Sequence, residues 1–218
     1  MDPAIPVEAA QAYYAYLFPA DEVFSWLDLS GASATYKPSH REFAAKSFEG
    51  IFQRYLPFEN SLQLRSFLSS STTHDFHVGA VYEHCPKKNS LNHNYSLARE
   101  FVIDVDISDY DLFRTCGCSK KTYCNLCWHF VSIASECINI IFDTSLAFKN
   151  YQWVFSGQRG VHCWVKDPMA LKQSSTTRRY LSNFIAKPKK NKGTPYNQMY
   201  QQVIRPSFVS FCLESLDL

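Results

Sequence analysis

Two aspartates, Asp104 and Asp106, sit two positions apart inside the apolar run Phe101 to Ile107. In an extended strand, residues i and i+2 point the same way, with Cα atoms about 6–7 Å apart. Two carboxylates so placed can clamp hard divalent cations such as Mg²⁺ or Mn²⁺, the arrangement that serves phosphoryl and nucleotidyl transfer. A plain solvent-facing strand would carry the same residues. Two neighbouring features favour the cation site. The alternate positions Phe101, Ile103, Val105 and Ile107 are all apolar and would anchor the strand. Asp109 and Asp111 follow at once, and their charges are expected to repel without cations.

A second group, Ser156-Gly157-Gln158-Arg159-Gly160-Val161-His162, lies between two short apolar runs. Its two glycines would let the backbone approach a phosphate closely. Arg159 can grip phosphate with two parallel hydrogen bonds, and Ser156 and His162 can each donate one. These residue types suit a triphosphate better than a nucleobase. The competing reading is an ordinary hairpin with a surface arginine and a core histidine.

A third group is made of thiols. Cys116, Cys118, Cys124 and Cys127 follow a C-x-C-x5-C-x2-C spacing. Four thiolates suit one tetrahedral structural Zn²⁺, and His129 is an alternative ligand. Cys85, Cys137, Cys163 and Cys212 are scattered and need no role beyond packing.

The elements that must position these groups follow from periodicity. Val7 to Phe18 reads as a helix ended by Pro19, and Asp21 as the cap of a second helix reaching Leu29. His40 to Arg54 suits two strands around Glu49-Gly50. Asn60 or Ser61 starts a helix to about Leu68, and Ser69 to Thr73 reads as a loop. His77 to His84 and Arg99 to Ile107 read as strands, with a polar loop Cys85 to Asn94 between them. Asn125 to Phe142 reads as a long helix with the stripe Cys127, Val131, Ala134, Ile138 and Ile141. Tyr151 to Phe155 and Val161 to Lys166 are strands flanking the glycine-containing turn. Asp167-Pro168 opens a further helix. The order implies an α/β or mixed α+β chain.

The 218 residues carry a formal net charge of +2, so any nucleic-acid footprint must be local rather than global. No uninterrupted apolar run reaches the roughly 18 residues a membrane span needs. Met1 to Glu8 has two acids and no basic residue, unlike a signal or transit peptide. The chain reads as soluble and intracellular, with no membrane partner.

The blocks FVIDVDISDYDLFRTC, CNLCW and WVFSGQRGVHCWV, with YLFP, HREFA and HVGAVY before them, resemble the archaeo-eukaryotic DNA primase small subunit family, eukaryotic type. The resemblance covers Tyr13 to Trp164 most strongly. It implies a primase catalytic core over residues 1–186 with a sheet like that of an RNA-recognition motif. A zinc module at about 112–128 would follow the acidic strand. It implies catalytic Asp104, Asp106 and Glu42, with Mg²⁺ or Mn²⁺ on the two aspartates. It implies nucleotide binding by Ser156, Gly157, Gln158, Arg159, Gly160, Val161, His162 and Arg54, and zinc on the four cysteines. Arg41 is a further candidate for phosphate. The implied activity is templated synthesis of RNA primers from ribonucleoside triphosphates on single-stranded DNA, in the nucleus. The implied partners are a large iron–sulfur subunit and the DNA polymerase alpha complex.

The chain departs from the family pattern in three ways. Gln158 stands where the family commonly has a second arginine. Gly117 separates two cysteines that are usually adjacent. The family's third metal-binding aspartate lies downstream of a helical region, and 187–218 reads as the basic linker Lys187 to Lys192 and the start of that region. The chain is therefore expected to be truncated and inactive or very weak alone. A zinc-stabilised scaffold that binds the large subunit, and a repair-type primase-polymerase, are the competing readings.

Overall fold

Two antiparallel sheets carry the residues singled out above, and each lies in its own compact unit, Met1–Arg99 and Glu100–Leu218. The computed structural model describes residues 5–86, 95–111, 113–120, 122–157 and 159–185. Gln158, the basic segment 187–192, Cys212 and the rest of 187–218 lie outside the described residues.

In the first unit, α1 (Val7–Ala12) runs on through a wide helical turn, Tyr13–Leu17, and stops before Pro19. Helix α2 (Ala20–Leu27) is preceded by Pro19, so Asp21 is not its cap. It lies in the first turn, where its charge suits the helix dipole, and it accepts hydrogen bonds from Ser61 and Arg65. Strands β1 (Arg41–Ser47) and β2 (Phe52–Leu56) form a hairpin around Glu49-Gly50, and Gly50 takes the left-handed φ of +86°. Helix α3 (Ser61–Ser70) starts at Asn60, whose side chain accepts from the Gln63 amide at 3.0 Å. The helix reaches Ser70 and β3 (Thr73–Tyr82) begins at Thr73, so the connection is shorter than the expected loop. A three-residue β4 (Ser96–Ala98) completes the sheet β2-β1-β3-β4. Phe43 anchors it, stacking on Phe76 and leaning on Phe58 at 5.5 and 5.3 Å between ring centres.

In the second unit the order is β5 (Phe101–Asp106), α4 (Asn125–Ile141), β6 (Tyr151–Phe155), β7 (Gly160–Val165), α5 (Pro168–Leu171) and α6 (Ser175–Ile185). The sheet order is β5-β7-β6, antiparallel throughout. The expected alternation on β5 holds: Phe101 and Val105 are buried, while Val102 and Asp104 are exposed. Cys127, Val131 and Ile138 of α4 share a core with Phe101, Val105, Cys163 and Val165. Helix α4 and its following turn, Asn125–Leu146, are long and apolar enough by length and composition to cross a membrane. The stripe just named instead packs on the sheet. Asp167 precedes α5 without capping it; its carboxylate accepts from the Lys149 and Asn150 amides and ties down the start of β6. The expected single helix is broken at 172–174, where Ser174 Oγ accepts from the Thr177 amide at the start of α6. The whole is a mixed α+β architecture, as the element order implied.

Candidate functional site

The sheet of the second unit brings the acidic pair and the glycine-containing turn together. Asp104 pairs across the strands with His162, and Asp106 with Gly160. The Asp106 carboxylate accepts two hydrogen bonds from Arg159 Nε, at 2.8 and 2.9 Å. It also accepts from the amide and hydroxyl of Ser108, at 2.8 and 2.7 Å. The Arg159 guanidinium first, aided by Ser108 against the cost of burial, holds this carboxyl at about 2. Asp104 is freer, with a side chain 68% exposed and an oxygen 3.6 Å from His162 Nε2. Ser108 was not foreseen; an aspartate two residues before a serine amide, making an Asx turn, was the available signal.

The two glycines of the turn stand in different surroundings. Gly157 has a φ of +92°, with open space where a Cβ would stand. Gly160 is buried, and a Cβ there would lie 2.3 Å from the Val105 carbonyl oxygen. Its lack of a side chain lets β7 approach β5. The Ser156 hydroxyl accepts from the Gly160 amide at 3.1 Å and closes the turn. Val161 is partly buried and packs against the core. Gln158 lies outside the described residues.

The acidic stretch beyond the strand is neutralised from within the protein at one of its two positions. Asp111 forms an ion pair with Arg114 and accepts from the Lys120 amide at 3.0 Å, which lowers its pKa. Asp109 is exposed. Repulsion at Asp111 is therefore not left for a bound cation to relieve.

The four cysteines converge. Their sulfurs all lie within 4.8 Å of one another, with Cys116–Cys127 at 3.0 Å and Cys124–Cys127 at 3.7 Å. Four thiolates about 2.3 Å from one Zn²⁺ would sit about 3.8 Å apart, so the set fits a tetrahedral ion. Gly117, with a φ of +82°, turns the chain between the first two sulfurs. Burial opposes ionisation of Cys127. Contacts with Cys116, the Cys124 backbone and Arg114 nonetheless bring it down to about 6. His129 is exposed on α4 and outside this cluster.

The first unit holds a separate acid–arginine group. Arg54 reaches Glu42 through Nη2 at 2.7 Å and Nε at 2.9 Å, and Tyr82 donates to the other Glu42 oxygen at 3.3 Å. The Arg54 guanidinium also lies over the Tyr55 ring, 4.8 Å from its centre. Tyr55 has a φ of +64°, rare for a non-glycine residue. Arg41 departs from its expected role. Its side chain is buried and donates to the carbonyls of Gly79 and Leu27, at 3.0 and 2.8 Å. It serves the fold rather than a phosphate.

A carboxylate–arginine pair on an antiparallel sheet and a four-cysteine cluster that could hold one metal ion define a mixed α+β class with a candidate metal centre. Within that class, residues 103–208 match the sequence model of the DNA primase small subunit family. The chain is 35% identical over 185 residues to the DNA primase small subunit of Schizosaccharomyces pombe, covering 84% of this chain and 40% of that protein. It is 34% identical over 180 residues to the Saccharomyces cerevisiae protein of the same name, covering 79% and 42%. The archaeal DNA primase small subunit PriS of Pyrobaculum aerophilum is 29% identical over 146 residues, covering 66% and 46%. The chain belongs to the DNA primase small subunit family. It spans about two-fifths of the length of the eukaryotic relatives it matches.

Proposed function

We propose that this chain carries the metal- and triphosphate-binding part of a DNA primase small subunit, which starts RNA primers on single-stranded DNA by two-metal nucleotidyl transfer. One observation carries the reading: two carboxylates on one strand each meet a basic side chain from the neighbouring strand or the turn before it, Asp104 with His162 and Asp106 with Arg159. Asp104 and Asp106 would hold Mg²⁺ or Mn²⁺, which would supply the charge that activates a hydroxyl and neutralises a triphosphate.

The chain's own residues do the rest. Asp106 is ionised throughout the neutral range and needs no deprotonation to act as a ligand. Asp104 is exposed enough to turn toward a cation. Arg159 exchanges the Asp106 carboxylate for phosphate oxygens, to which it is equally suited. Ser156 and His162 add donors, and the backbone at Gly157 and Val161 borders the same turn. In the first unit, taken by itself, Glu42 pairs with Arg54, which the family resemblance makes a candidate nucleotide-binding residue. A structural Zn²⁺ on the four thiolates fixes the loop after the acidic strand. In this reading the substrates are ribonucleoside triphosphates, and the protein works in the nucleus with a large iron–sulfur subunit and the DNA polymerase alpha complex.

The test is a titration of Mn²⁺ with ribonucleoside triphosphate into the wild-type chain, Asp104→Ala and Asp106→Ala. Each variant is expected to bind Mn²⁺ at least about tenfold more weakly, the loss of one charged ligand. Equal binding in all three removes the site.

A further inference from the structure

The geometry assigns to Arg114 the role of a positioning residue that locks the acidic segment to the thiolate centre; this rests on the zinc reading above. Arg114 has a side chain with no exposed surface. An arginine cannot shed its proton, so a buried one must be met by acceptors and opposite charge. Arg114 meets three groups. Nη2 pairs with the Asp111 carboxylate, and Nη1 donates to the Thr122 carbonyl at 2.8 Å and to Cys127 Sγ at 3.7 Å. Nε is buried and has no hydrogen-bond partner among the described residues. Among the described residues the guanidinium thus uses its terminal nitrogens on these three acceptors and leaves Nε unpaired. That is a cost which simple packing would not justify.

Both ends of this link are rigid. At one end, four thiolates on a divalent ion would leave a net charge of about −2, which a buried cation donating to one sulfur would offset. At the other, Asp111 also accepts from the Lys120 amide, and Lys120 holds a left-handed φ of +52°. A single tight turn, Ile107–Tyr110, separates Asp111 from Asp106. Ile107 is fully buried, and Tyr110 stacks on Phe130 of α4 at 5.6 Å. A shift at Asp111 is thus passed to the carboxylate pair rather than absorbed by a loose loop. Arg114 touches neither Asp104 nor Asp106; it acts through Asp111 and Cys127.

The test uses the full chain loaded with Co²⁺ in place of zinc. Thiolate charge-transfer and d–d bands report the cysteine site, chelator competition gives its affinity, and electron paramagnetic resonance gives Mn²⁺ binding at the aspartates. The variants are Arg114→Met, Arg114→Lys, Asp111→Asn and the double variant Arg114→Lys/Asp111→Asn. Arg114→Met is expected to keep the four-thiolate spectrum but bind Co²⁺ about 10–100-fold more weakly, as for lost outer partners of metal ligands. Its Mn²⁺ binding should weaken several-fold. Arg114→Lys should recover part of the Co²⁺ affinity, since a cation remains, but not the Mn²⁺ affinity, since one ammonium cannot span three acceptors. Asp111→Asn and Arg114→Lys should be non-additive for Mn²⁺ in the double variant. If Arg114→Met does not fold, the lysine and asparagine variants decide alone. Co²⁺ and Mn²⁺ affinities within twofold of wild type in the folded variants would overturn the proposal. A wild-type chain without a four-thiolate spectrum would sink the zinc reading, and this proposal with it.

Discussion

Each unit of the chain contains a carboxylate gripped by an arginine on an antiparallel sheet, and the two pairs differ in which partner is buried. In the first unit Glu42 is 7% exposed and Arg54 is 47% exposed. In the second, Asp106 and Arg159 are 28% and 25% exposed. Glu42 is buried and pairs with an arginine that reaches the surface, and Tyr82 donates to its other oxygen. Asp106 and Arg159 are matched in exposure, and under the proposed function each would exchange its partner, one for a cation and the other for a phosphate. Both pairs share a device: a glycine on the neighbouring strand that lets the backbone of the acid come close. Gly79 stands against Glu42, where a Cβ would meet the carbonyl oxygen at 2.9 Å. Gly160 stands against Val105 and Asp106, where the same contact would be 2.3 Å.

The largest effects should come from filling those gaps. Gly160→Ala drives a methyl into the backbone of β5 and must open the sheet; a loss of about 3 kcal/mol is expected. Gly79→Ala meets a less severe contact, and about 1–2 kcal/mol is expected. Urea unfolding of both variants checks the order. Gly160→Ala should also weaken Mn²⁺ binding, because it displaces Arg159 and Asp106 without altering a charged group. A Gly160→Ala variant as stable as wild type would mean that the strands are not in the close register seen here.

Removing the arginines separates fixed from exchangeable pairs. Arg54→Met removes the guanidinium from a buried carboxylate and leaves Tyr82 donating to it. A destabilisation of about 2–3 kcal/mol is expected, below the range for a fully buried pair because Arg54 is half exposed. Arg159→Met should change stability far less. It should tighten Mn²⁺ binding several-fold by freeing Asp106, and weaken triphosphate binding by tenfold or more, since a bidentate cation is lost. Calorimetric titration of each ligand reads this opposite movement. Parallel losses of both ligands would make the second pair as structural as the first.

Local pattern made part of this arrangement readable in advance. The alternation on β5, the stripe on α4, the turn at Glu49-Gly50 and the Asn60 cap are set by residues within a few positions of one another. The four cysteines were readable because ligand type and spacing constrain each other. What escaped depends on distant pairing. Strand β4 has three residues and no period of its own. Arg41 looks like any exposed arginine until β3 and α2 supply the carbonyls that bury it. Gly160 suggested a ligand-facing turn, and only the approach of β5 shows what its missing side chain is for. Arg114 had no signal beyond standing near two cysteines. Its partners Asp111, Thr122 and Cys127 become neighbours only when the loop folds over them.

The smallest effect concerns protons. The folded Asp106 carboxyl lies at about 2, below its ordinary 3.8. A depressed folded value means that the pair stabilises the protein fully above the unfolded value. That stabilisation is lost as pH falls from about 4 toward 2, where the native carboxylate at last takes a proton. Arg159→Gln removes the first cause of the depression. Wild type and variant should therefore differ in urea midpoint by a constant amount above about pH 5, and the difference should shrink across the window from 4 to 2. Ser108 still holds the carboxylate in the variant, so part of the acid sensitivity remains. A gap between the two curves that stays constant down to pH 2 would mean that the Arg159 interaction does not depend on the charge of Asp106. The pair would then be geometric rather than ionic, and its readiness to exchange a carboxylate for phosphate would lose its physical basis.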